Sequence, residues 1–229
     1  MNASEALDRL RSMSNPRNVE EMARFGISDV NTLGVPMPEI RRLAKQMGKE
    51  HHTALELWRS RVHEARILAC LVEDPGQVTE EQLDSWVEEI DSWDVCDQFC
   101  SNLVDRTRFA YAKAAECSKR EEEFVKRAAF SLMAALAVHD KTASDEQFLR
   151  FLPLIERESS DERNFVKKSV NWALRQIGKR SIGLNRAATK SAKRVARMKS
   201  KSARWIASDA LRELSDERVL ARLETKARG

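Results

Sequence analysis

Apolar residues recur along this chain at three- and four-residue spacing, and no stretch alternates over the length of a strand. The pattern predicts helices nearly end to end. A first helix over 3–12 carries Ala6, Leu7 and Leu10 and stops before Asn15-Pro16. A second, capped by Asn18 or a neighbour, runs through Arg24 to Gly26. The turn Gly34-Val35-Pro36-Met37-Pro38 feeds a third, with Ile40, Leu43, Ala44 and Met47 inward and Gly48 as its C-cap. Residues 53–58 and 61–73 form a pair, broken by Asp74-Pro75-Gly76. Thr79 to Gln82 reads as a capping box opening a helix with Leu83, Trp86, Val87 and Ile90. Asp91 or Ser92 caps the next, which carries Trp93, Cys96, Asp97, Cys100 and Val104. Helices over 107–117, 120–138 and 145–156 follow. A second capping box, Ser159 to Glu162, opens 161–177, with Gly178 as C-cap. Segments 184–198, 202–214 and 216–226 complete the series.

The helices come in pairs, and the pairs echo one another. Phe124-Val125-Lys126-Arg127 matches Phe165-Val166-Lys167-Lys168 at a distance of 41 residues, and Ser202 to Leu214 follows at similar spacing. A period near 40 in helical pairs points to HEAT or armadillo repeats. The expected fold is therefore all-α, a HEAT-like helical-repeat superhelix (an α-solenoid) with a concave basic cleft. It is expected as one domain over 1–229, with a cap over about 1–20 and a tail helix over about 216–229.

Composition supports the helical reading. Seven Gly and five Pro in 229 residues leave few turns for a β architecture. The net charge of +4 conceals an asymmetry. Residues 161–229 hold 19 Lys or Arg and 7 Asp or Glu, whereas the first 160 hold 21 and 29. Between Arg163 and Arg204 lie fourteen basic residues and no acidic one. Such a run suits a polyanion, although a solvated helix face has the same composition. The four cysteines lack metal-ligand spacing; they are expected reduced and buried, with no metal and no cofactor. No 18-residue apolar run and no leader-like segment occurs, so a cytoplasmic, nucleoid-associated protein without membrane contact is expected.

The helical wheel sharpens the basic run. Over 161–177, Val166, Val170, Ala173, Leu174 and Ile177 form one stripe about 100–200° from Trp172. Lys168, Arg175 and Lys179 lie within about 60° of Trp172. Trp172 thus stands among cations, where it faces a ligand or fills a second packing face. Trp93 and Asp97 are one turn apart on their helix and share a face with Cys96, Cys100 and Val104. A carboxylate there suits catalysis; a surface Asp in an acid-rich stretch is the other reading. Arg127 stands off its own core stripe beside Phe124, Phe130, Ser131 and Ala134. It can grip a phosphate or close an interhelical ion pair. The histidines show no relay or metal spacing, and no P-loop, GxSxG, GxGxxG or HExxH is present.

Several segments together resemble the DNA alkylation repair family of AlkD-type DNA glycosylases with HEAT-like repeats. They are GVPMPEIRRLAK (34–45), HEARILACLV (63–72), DSWDVCD (91–97), FVKRAAFSLMAALAVHDK (124–141) and NFVKKSVNWALRQIGKR (164–180), and the resemblance spans roughly 20–215. That family's site is a Trp-xxx-Asp pair, an Arg on a later helix and a Trp in an NWALR-type helix. Trp93, Asp97, Arg127 and Trp172 match these positions. The resemblance implies excision of cationic N3- or N7-alkylated purines from duplex DNA without flipping the base into a pocket. Asp97 would stabilise the sugar cation or position water, Trp93 and Trp172 would hold the lesion's backbone, and Arg127 would bind phosphate. Lys168, Arg175, Lys179, Arg180 and Arg204 would line the DNA. The expected partner is double-stranded DNA carrying alkylated bases, bound by a monomer. A family of this fold also includes non-catalytic binders of damaged or branched DNA, and a protein scaffold remains the third reading.

Overall fold

The computed structural model describes the backbone of residues 1–228 and the side chains of 1–227. All regular structure among them is helical. The chain divides into two compact units, residues 1–107 and 108–229.

The first unit comprises α1 (Ala3–Ser12), α2 (Pro16–Arg24), α3 (Met37–Met47), α4 (His51–Arg59), α5 (His63–Val72), α6 (Glu80–Glu88), α7 (Trp93–Asn102) and a 3₁₀ turn, Val104–Arg106. The unit is built around α5. Its sequence, HEARILACLV, offers no continuous polar face, and nine of its ten residues are buried. A helix without a solvated side must be enclosed, and α3, α4 and α7 enclose this one. Enclosure forces its polar residues into partnerships. Glu64, with no exposed surface, accepts the amides of Leu33 (2.9 Å), Gly34 (2.6 Å) and Val35 (3.2 Å). Arg66 donates to the Glu89 carbonyl at 3.0 Å and lies 5.1 Å from the centroid of Trp58. Trp58 in turn stacks on Trp86 at 4.1 Å.

The start of α2 differs from expectation, while that of α7 falls at Ser92 as expected. The cap of α2 is Asn15, whose side chain accepts from the Arg17 amide at 3.1 Å. Asn18 instead donates to the Gly34 carbonyl at 2.8 Å and ties α2 to the turn. At α7 the N-cap is Ser92, but its hydroxyl makes no capping bond; Asp94 accepts from the Val95 amide.

The second unit comprises α8 (Ala110–Cys117), α9 (Glu123–His139), α10 (Asp145–Leu149), α11 (Leu152–Glu158), α12 (Asn164–Gly178), α13 (Ile182–Val195), α14 (Lys201–Leu214) and α15 (Glu217–Arg228). Helix α12 packs on α9, α13 and α14. The repeat period is visible in its side-chain bonds. Five pairs joined in this way are 38 residues apart: Arg127 and the Phe165 carbonyl, Glu156 and Arg194, Glu162 and Ser200, Asn171 and Asp209, and Arg175 and Glu213. A constant offset of this kind means that successive long helices lie in one register, as stacked repeats require.

Three boundaries were expected otherwise. The segment 145–156 is two helices, because Pro153 in the first turn of α11 has no amide to continue α10. Helix α12 starts at Asn164 without a side-chain cap. The Ser159 hydroxyl donates to the Ile155 carbonyl, and Glu162 accepts from the Ser200 hydroxyl (2.8 Å) and the Ser202 amide (3.2 Å), so neither serves the helix start. Gly178 is the last helical residue rather than a cap. A Cβ there would lie 2.6 Å from Leu214 Cδ2 and 3.0 Å from the Ala188 Cβ, so this glycine lets α13 and α14 approach. All four cysteines are buried free thiols, as expected.

Gly34 carries the tightest backbone demand. Its φ is +75°, and a Cβ would stand 2.3 Å from the Asn15 carbonyl oxygen. Gly34→Ala is expected to lower the unfolding free energy by about 2–4 kcal/mol in denaturant titration, combining left-handed strain with a backbone clash.

Candidate active site and nucleic-acid interface

Helix α7 presents Trp93 and Asp97 one turn apart, both half-buried. They line a cavity of about 430 Å³ within the first unit. Its apolar wall comes from α2, α3 and the turn between them, with Met22, Phe25, Val35 and Ile40, and from Ile67 on α5. Trp93 is oriented by a bond from its Nε1 to the Phe25 carbonyl at 3.2 Å. The indole is therefore held at the cavity, not folded into the core.

The acids flanking Asp97 have partners of their own. Asp94 Oδ2 is 2.8 Å from His63 Nε2, with only 6% of the His63 side chain exposed. Asp91 lies 3.7 Å from Arg66 and is exposed. Their negative charge is thus offset locally. Burial opposes the charged form of His63, but the bond to Asp94 and the nearby charges of Asp94, Glu64 and Asp91 outweigh it and raise its pKa above the ordinary value. For Asp94, burial also opposes charge, while the His63 bond and charge hold its pKa below the ordinary value. No sequence rule flagged His63, because its partner is 31 residues away on another helix.

The remaining candidates lie in the second unit. Arg127, on α9, is buried, and its Nη1 donates to the Phe165 carbonyl at 2.8 Å. That bond fixes the first turn of α12. Trp172 is half-buried on α12, and Lys168, one turn earlier, is exposed. Arg175 and Lys179 both bond the Glu213 carboxylate of α14, and Arg175 also lies 3.5 Å from Asp209. Burial raises the Glu213 pKa, but Lys179 and Arg175 more than compensate and leave it below the usual range. Arg180 is inside the unit. It donates to the carbonyls of Ala137 (3.2 Å) and Ala143 (2.7 Å) and lies 4.3 Å over Phe148. Arg180, expected among the DNA-facing cations, is thus buried and clasps two backbone carbonyls of its own unit. Arg204 is exposed on α14.

Sequence reasoning missed Trp205. It is 42% exposed, and Lys167 Nζ lies 5.6 Å from its ring centroid. The signal was available: Ala203, Ile206, Ala207, Ala210 and Leu214 form the buried stripe of α14, and Trp205 falls opposite it. Among the described residues no group of three or more His, Cys, Asp or Glu is placed to hold a metal ion, and no helix is long and apolar enough to cross a membrane.

A family model described as "DNA alkylation repair enzyme" matches residues 6–214. No curated protein matches the chain. A solved structure described as "a new family of proteins related to the HEAT-like repeat DNA glycosylases with affinity for branched DNA structures" matches with a TM-score of 0.78. The two are 17% identical, and the match covers 93% of this chain and 95% of the other.

The His63–Asp94 pair has a pH signature. The raised pKa of His63 gives stability that is complete below about pH 6.5 and fades as pH climbs through the folded-state value. The lowered pKa of Asp94 gives stability that is complete above about pH 4 and fades as pH falls through its folded-state value. His63→Gln is expected to cost about 2 kcal/mol between those limits. The deficit should shrink on either side when denaturation midpoints are followed against pH.

Proposed function

The chain belongs to the DNA alkylation repair family, and from that premise we propose that it is a monofunctional DNA glycosylase for cationic N3- and N7-alkylated purines in duplex DNA. The observation that carries this reading is on α7: Trp93 and Asp97 stand one turn apart and line one cavity of the first unit. A carboxylate at a partly desolvated edge beside an indole suits stabilisation of a sugar cation.

The chemistry follows from the substrate. An alkylated purine is positively charged, so cleavage of its bond to C1′ lets the base depart with the bonding electrons as a neutral molecule. The deoxyribose is left as an oxocarbenium-like cation. Asp97 stabilises that charge and accepts the proton of the water that adds to C1′. Trp93 and Trp172 provide aromatic surface for the sugar–phosphate backbone. Arg127, from its buried position, sets the start of α12 and supplies positive potential to phosphate. Lys168 and Arg204 are the exposed cations for the DNA backbone. Arg175 and Lys179, tied to Glu213, chiefly hold α12 against α14.

A second reading has its own support. A solved structure of this fold is described by affinity for branched DNA. On that reading the chain binds damaged or branched DNA without excising a base, and Asp97 is a surface acid.

Base release from methylated duplex DNA separates the two. Wild-type protein is expected to liberate 7-methylguanine or 3-methyladenine. Asp97→Asn should lower the rate by about 10²-fold or more while salt-dependent DNA binding persists. Release that is undetectable at high enzyme concentration would leave the binding reading. Trp172→Ala is expected to slow release while costing less than the ~3–5 kcal/mol of a truncated core aromatic.

A further inference from the structure

The buried stripes of α12 and α14 define a common outward direction in the second unit. On α12, Val166, Val170, Ala173, Leu174 and Ile177 are buried, and Trp172 lies opposite them with Phe165 and Lys168. On α14, Trp205 occupies the corresponding phase. Phe165 and Trp205 both sit near the start of their helices, one repeat apart. The 38-residue register carries Lys167 to Trp205, and its ammonium lies 5.6 Å from the indole centroid. Lys168, Lys201 and Arg204 are exposed around them. The acids of this region have partners within the unit: Glu162 accepts from Ser200 and Ser202, and Asp209 and Glu213 from Asn171, Arg175, Lys179 and Arg212.

An indole more than two-fifths exposed with a lysine over its ring offers a flat apolar face beside positive charge. The surrounding charge says what kind of ligand: a polyanion with flat apolar groups. A lysine over one ring face leaves the other for stacking. In a continuous duplex each base face is already covered by its neighbours. An unpaired nucleotide exposes its base for stacking and its phosphate for the lysines.

We propose that Trp205 is a stacking platform for an unpaired nucleobase, with Lys167, Lys168, Lys201 and Arg204 holding the phosphates of the same strand. It adds a single-strand contact to the proposed duplex function. It also sets the kind of DNA on which the second unit binds best: a duplex with an adjoining unpaired stretch, such as a gap, flap or branch. Because the site requires no lesion and no Asp97, its fate and that of the glycosylase reading are separable.

The test uses the full chain and unmodified DNA: an oligothymidylate, a blunt duplex, and the same duplex with a thymidylate flap. Wild-type protein is expected to bind the flap duplex more tightly than the blunt one. Trp205→Ala should weaken binding to oligothymidylate and to the flap duplex about tenfold. It should change blunt-duplex binding by less than about twofold, and Trp205→Phe should retain most of the affinity. Oligothymidylate should quench indole fluorescence in the wild type and markedly less in Trp205→Phe. Circular dichroism of each variant checks that the fold is intact. Unchanged oligothymidylate affinity in a folded Trp205→Ala would overturn the proposal. So would an equal loss on the blunt duplex, which would make Trp205 a general backbone contact. An absence of base release from methylated DNA would leave it untouched.

Discussion

Glu64 is the constraint on which the first unit turns. A carboxylate with no exposed surface would be strongly unfavourable without partners, and three consecutive backbone amides supply them. Those amides belong to residues 33–35, the turn that launches α3. The neighbouring residue, His63, reaches the other way and holds Asp94 at the start of α7. Two adjacent side chains on one enclosed helix therefore set both walls of the cavity that Trp93 and Asp97 line. The scaffold around the candidate pair is polar and buried. Such a network is unforgiving of substitution, which is a reasonable basis for positional precision.

The second unit achieves precision differently. Its long helices repeat, and several side-chain bonds between them span 38 residues. Arg127 reaches the Phe165 carbonyl, Glu162 reaches Ser200, and Arg175 reaches Glu213, each across 38 residues. Each bond uses a polar side chain of one repeat to satisfy a group of another. The consequence for function is that the cations are of two kinds. Arg175, Lys179 and Arg180 hold helices together, whereas Lys168 and Arg204 are exposed. A basic composition thus overstates the number of charges facing a ligand. Trp172 and Trp205 lie opposite the buried stripes of their helices.

Much of the fold was legible from the chain alone. Helix positions followed from apolar spacing, because each helix buries a single stripe and the stripe repeats every three to four residues. Gly48 ended α3 as read, with a φ of +74°. The repeat period was visible in Phe124 and Phe165, whose rings meet at 5.5 Å. Misreadings arose where a residue of a local motif was claimed by another partner. Ser159 and Glu162 have the spacing of a capping box, yet one bonds within α11 and the other bonds α14. Asn18 has a capping side chain, yet it serves Gly34. Gly178 reads as a helix terminator, yet its role is to clear Leu214 and Ala188.

The candidate site divides along the same line. Sequence by itself determined the one-turn spacing of Trp93 and Asp97, the outward phase of Trp172, the free state of the cysteines and membership of a helical-repeat class. These are properties of local geometry and composition, which a helix transmits without reference to its neighbours. Only the tertiary structure decided that Asp94 and Asp91 are matched by His63 and Arg66. It also decided that Arg180 faces inward and that Trp205 stands exposed with Lys167 over its ring. The reason is physical: a charge or an indole takes its role from what lies within a few ångströms, and those neighbours come from helices 23 to 43 residues away.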